Sequence, residues 1–195
     1  MFLTIMLVAN MAAGTLGGSL PKMALAQWGI SYKSVLEGDL LRLLTGTFLS
    51  HDVAMFLRQF LFAAGVIGYY EWRTGTLRAV VMFFSIDITG SVIVLFGILP
   101  VLASYGQPHI FQEMDVGMSA GGFGLIGAIL CLTRHRWAWL GLALIAISCK
   151  IWFSFEIIAD SAHLLCLFLG FFAQMTLGQR RPRSPSHGKP AHSKP

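Results

Sequence analysis

The chain has 195 residues, of which 55% are apolar and only 12% charged, and its mean hydropathy is +0.69. A soluble domain of this size cannot hide that much apolar surface and still present a polar exterior. The composition therefore excludes an ordinary cytosolic enzyme, a disordered chain and a disulfide-stapled secreted module, and it names bilayer lipid as the solvent.

Apolar runs of about 17–25 residues mark membrane-crossing helices, and six are predicted. The first covers 2–20 and carries Asn10 and several glycines. Ala24-Leu25-Ala26 has the small-residue pattern of a signal cleavage site. No Lys or Arg precedes the apolar stretch, however, so a retained span is expected. Residues 21–52 are semi-polar and too long for a simple turn, and they are expected at the interface. The second span covers 53–70, with Arg58 and Gln59 inside it. The third covers 77–102, with Asp87 inside it. The fourth, fifth and sixth cover 116–133, 137–155 and 158–177.

The expected fold is thus all-α, a polytopic six-helix membrane domain over residues 1–178. Residues 179–195 read as a disordered basic tail. They hold Arg180, Arg181, Arg183, Lys189 and Lys194, four prolines and no acid. Such a tail suits a membrane surface. No aromatic or folded basic module accompanies it, so no nucleic-acid partner is expected. Cys131, Cys149 and Cys166 lie in apolar runs, are odd in number and read as packing residues.

Lys and Arg in short loops orient the spans. Arg73 and Arg78 follow span two, Arg134 and Arg136 follow span four, and the basic tail follows span six. All three lie on one side. Glu113, Asp115 and Glu156 lie on the other, together with Lys22, Lys33 and Arg42 of the long first loop. Both termini are therefore expected in the cytoplasm, and the chain in the plasma or inner membrane.

Polar side chains at membrane depth mark functional sites. Ser119 lies a few residues into span four, and His163 a few residues into span six. Both spans run inward, so both residues sit roughly 5–10 Å below the outer boundary, at about 1.5 Å per residue. Serine and histidine at one level suggest a nucleophile and its general base. Gly117, Gly121, Gly124 and Ala128 recur on span four, and Gly170 lies on span six. Small residues let helices approach closely.

Other polar residues read differently. Arg58 and Asp87 differ in depth by roughly 10 Å, which disfavours an ion pair; structural hydrogen bonding is the expected role, and a small transporter built on the two is the weaker alternative. Glu71 is expected to anchor the cytoplasmic loop, and Lys150 to reach the interface. No His-Glu-x-x-His occurs and no carboxylate cluster shares a depth. No metal is expected.

These residues resemble the rhomboid intramembrane serine proteases. Gly117-Met118-Ser119-Ala120-Gly121 is similar to the family's Gly-x-Ser-Gly motif. Ala162-His163, with Gly170 seven residues on, is similar to its Ala-His-x-x-Gly-x-x-x-Gly pattern, with Cys166 at the nearer glycine. Arg42-Leu43-Leu44-Thr45 and Phe48-Leu49-Ser50-His51 resemble the Trp-Arg segment and the loop after it. Glu71 and Gly75 resemble the acid and glycine closing span two. The resemblance covers residues 37–178.

It implies that Ser119 is the nucleophile, His163 the base, and Phe123 the aromatic that stacks on the histidine. It implies a transmembrane protein substrate, cut near the outer leaflet without a cofactor; it leaves the oligomeric state open. Two departures stand in span two. Counting back from Glu71, Met55 and Gln59 occupy the positions of the family's oxyanion-binding His-x-x-x-Asn. Gln59 supplies an amide donor and Met55 none, with His51 one turn away as a possible substitute. The alternative is a catalytically silent relative that binds transmembrane helices. Leu41 and Ala120 are milder departures, at the tryptophan and at the glycine after the serine.

Overall fold

The computed structural model describes residues 1–105, 108–154 and 156–179. The expected basic tail, from Arg180 onward, lies outside the described residues. Among those described, the protein is all-helical, with two isolated backbone bridges and no strand. Four rods are long and apolar enough to cross a membrane: α5 (Val53–Thr74), the continuous rod Thr76–Ser104, α9 (Arg136–Phe153) and α10 (Ile157–Gln179). Asp52 caps α5 by accepting the Met55 N–H at 2.7 Å. Gly75, at φ +91°, turns the chain between the first two rods, a conformation few other residues tolerate. The second rod comprises α6 (Thr76–Ile93), a π-helical stretch Val94–Ile98 and α7 (Leu99–Ser104). The wider turn precedes Pro100, which lacks an N–H and crowds the carbonyl four residues back.

Two expected spans are shorter than the sequence suggests. The first is α1, Phe2–Ala12, not 2–20. Gly14 takes φ +83°, and a short 3-10 turn, Thr15–Gly17, follows it. The fourth is α8, Ser119–Cys131, not 116–133. Its approach is pulled out of helical geometry because Asp115 pairs with Ile30 through two backbone hydrogen bonds of 2.8 Å. At about 1.5 Å per residue, neither helix alone crosses a hydrocarbon layer of about 30 Å.

Residues 21–52 are built of short pieces, α2 (Lys22–Trp28), α3 (Tyr32–Leu36) and α4 (Arg42–Thr45). Ser31 and Ser34 cap α3 reciprocally. Arg42 pins the segment by donating to Asp39, at 2.8 Å, and to the Ala26 carbonyl, at 2.6 Å. The segment folds over the end of the bundle where α5, α8 and α10 begin. The Gly117 N–H donates to the Gly46 carbonyl at 2.9 Å, so the cap is tied to the turn that starts α8.

Helix α8 is the centre of the bundle, packed against α5, α6 and α10. Its contact with α10 is backbone to backbone. A Cβ on Gly127 would land on the Leu167 carbonyl, and one on Gly170 on the Gly124 carbonyl. Gly121 and Gly122 admit Phe83 and Phe62 from the neighbouring helices, so the glycines serve three partners at once. Cys166, which stands at a glycine of the rhomboid pattern, is accommodated by Gly90 across the α6–α10 contact. By contrast α9 is lightly embedded: 6% of its apolar window is buried, against 44% for the Thr76–Ser104 rod. A face that apolar and that uncovered suits lipid.

At the opposite end of the bundle, the buried Tyr70 hydroxyl donates to Gln174 Oε1 at 2.6 Å, and the Thr76 hydroxyl donates to Glu71 at 2.6 Å across the Gly75 turn. Glu71 thus anchors this loop through a hydroxyl rather than through Arg73 or Arg78.

Candidate active site

Ser119 opens α8, half-buried at the helix N-terminus. That end of a helix carries N–H groups without intrahelical partners and a partial positive charge. His163 lies on α10, two turns before the Gly170 crossing. The Phe123 ring, one turn after Ser119 on α8, stacks on the His163 ring at 4.1 Å with an interplanar angle of 16°. The imidazole is thereby held against α8 one turn beyond Ser119. Its Nε2 is buried and makes no hydrogen bond among the described residues. Ser119 and His163 share one end of the bundle, and no Ser–His hydrogen bond joins them through that atom.

Gln59 comes from α5 and is 7% exposed. A Cβ on Gly117 would meet its Nε2, and would sit 3.0 Å from the Met55 methyl. Gly117, at φ +129°, is the position where glycine matters most: it frees the backbone to turn into α8 and lets the amide approach. Gln59 and Met55 therefore both face the turn two residues before Ser119.

His51 stands at the rim. Its backbone N–H donates to the Met55 sulfur at 3.3 Å, and its Nε2 lies 3.8 Å from Asp115 Oδ1. The Asp115 carboxylate holds the imidazole pKa above its ordinary 6.5, with Asp52 adding to the effect and partial burial opposing it. A raised folded pKa stabilises the fold below the unfolded value of 6.5, and this contribution is lost as pH rises through the folded value. The two side chains are 41% and 64% exposed, so screening keeps the effect under about 1 kcal/mol. His51→Gln is expected to lower the melting temperature slightly at pH 6 and not at pH 9. A difference that grows with pH would contradict this assignment.

Arg58 and Asp87 do not pair with each other. Asp87 is 2% exposed and accepts from the Thr47 hydroxyl at 2.7 Å and from the Gly121 N–H at 2.8 Å. It fixes the first turn of α8, the turn that begins with Ser119. Arg58 points out of the bundle and is exposed. Lys150 reaches Asp160 at 2.8 Å, bridging α9 to the first turn of α10 just before His163.

Three fully buried residues with a place in this network take no site role from the sequence: Asn10, Thr47 and Ser50, the last within the loop that resembles the rhomboid segment. The signal they share is polarity within or beside apolar runs. No family model matches the chain, and no curated protein matches it.

Proposed function

We propose that the chain is a rhomboid-like intramembrane serine endopeptidase with six spans, α1 and α8 being the short ones. It sits in the plasma or inner membrane with both termini cytoplasmic, and cleaves transmembrane protein substrates near the outer face. The observation that carries the reading is the stacking of His163 on Phe123. It supports an imidazole, its Nε2 without a hydrogen-bond partner among the described residues, acting at the end of the bundle where Ser119 opens α8.

In this reading Ser119 Oγ attacks the scissile carbonyl carbon while His163 Nε2 takes the hydroxyl proton. The carbonyl oxygen becomes an oxyanion, held by the Ser119 N–H and by Gln59 Nε2. Collapse of the intermediate breaks the C–N bond, and the imidazolium returns the proton to the leaving amine. Water then attacks the acyl-enzyme by the same route. Asp87 takes the Gly121 N–H, which leaves the earlier donors of the turn for the oxyanion. No cofactor takes part.

The test is cleavage of a fluorogenic single-span reporter in proteoliposomes. The reading expects a cut near the outer boundary that Ser119→Ala abolishes. Reporter left intact by the folded wild type contradicts it.

A second reading is a silent relative that binds transmembrane helices without cutting them. Met55 favours it, because a thioether beside Gly117 donates nothing to an oxyanion. Co-purification of an intact single-span protein with both wild type and Ser119→Ala would support it.

A further inference from the structure

We propose that Ser50, held by Asn10 of α1, is a positioning residue that aims the Gln59 amide at the oxyanion; the inference rests on the proteolytic reading. Four hydrogen bonds carry it. The Asn10 amide donates to the Phe48 carbonyl at 2.7 Å and to the Met6 carbonyl at 2.8 Å. Asn10 Oδ1 then accepts the Ser50 N–H at 3.0 Å. The Ser50 hydroxyl in turn donates to Gln59 Oε1 at 2.9 Å. The Thr15 hydroxyl, donating to the Ser50 carbonyl at 3.4 Å, holds the same residue through its other peptide group.

An amide has its oxygen and nitrogen on opposite branches. With Oε1 bound to Ser50, Nε2 is turned to Gly117, two residues before the nucleophile. Gln59 has one more rotatable bond than asparagine, so an unrestrained amide would sample other directions and stabilise the oxyanion less. Burying Asn10, Thr15 and Ser50 completely is costly unless each is satisfied. Apolar side chains would pack α1 against the bundle without that cost. The chain of bonds instead ends at the Gln59 amide, which faces the Ser119 turn.

The test uses the full-length protein in liposomes and a fluorophosphonate probe, with labelling rates measured from limiting to saturating probe. Ser50→Ala is expected to lower the saturating rate about 3- to 10-fold, the worth of one neutral hydrogen bond. The probe concentration at half-saturation stays unchanged. Ser50→Thr, which keeps the hydroxyl, restores the rate. In a Gln59→Ala background Ser50→Ala has no further effect, because its only route of action is gone. Should Ser50→Ala fail to fold, Ser50→Cys keeps the volume without a strong donor and is expected to show the same loss.

Wild-type rates in Ser50→Ala or Ser50→Cys overturn the proposal, as does a loss that persists in full without Gln59. Those results leave the protease reading standing. A folded wild type that takes up no probe overturns both.

Discussion

Gly170→Ala is expected to destabilise the protein by about 1–3 kcal/mol, the usual cost of overpacking a tight contact. The added methyl meets the Gly124 carbonyl, a backbone atom that no rotamer change can move. Helices α8 and α10 must separate, and they carry Ser119 and His163. Activity should therefore fall further than stability alone predicts, since a misplacement of about 1 Å between reacting groups can cost about 100-fold. Gly141→Ala is the control: nothing lies within 4 Å of a Cβ there, and alanine is the better helix former. The measurement is thermal unfolding in detergent alongside labelling by a serine-reactive probe. Equal melting temperatures for Gly170→Ala and wild type would refute the backbone contact.

The second large effect concerns the oxyanion. Gln59→Ala is expected to slow acylation of Ser119 by about 100- to 1,000-fold, as loss of one oxyanion donor does elsewhere. The reverse experiment is as informative. Met55 lies beside Gln59 against Gly117, at the position where the rhomboid pattern has histidine. Met55→His introduces a donor at that point and is expected to raise the acylation rate, by up to about 100-fold if the new bond is well aimed. Pre-steady-state labelling rates read both changes. Acylation that is indifferent to Gln59 would remove the amide from the mechanism.

Much of the helical plan was legible because lipid demands long apolar runs. The rods from Val53, Thr76, Arg136 and Ile157 begin within one residue of the expected spans. The two helices that shrank did so for reasons a hydropathy window cannot register. Gly14 breaks α1 by a single backbone angle. The start of α8 is set by pairing between Asp115 and Ile30, which are 85 positions apart (115 minus 30).

The candidate site divides in the same way. Ser119 and His163 stand out by depth, and Phe123 through the family resemblance. The partners of Asp87 do not: Thr47 and Gly121 come from an interfacial segment and from α8, and neither is charged. Arg58, the conspicuous countercharge, faces outward. Asn10 and Ser50 meet through one hydrogen bond spanning 40 residues, so periodicity says nothing of their joint placement beside Gln59.

The central claim is that Ser119 is an activated nucleophile with His163 as its base. Fluorophosphonate labelling of the full-length protein in lipid tests it most directly, comparing wild type with Ser119→Ala and His163→Ala. The account predicts labelling of the wild type, none in Ser119→Ala, and a rate lower by at least about 1,000-fold in His163→Ala. A wild type that is folded yet unlabelled, or a His163→Ala variant that labels at the wild-type rate, would contradict it.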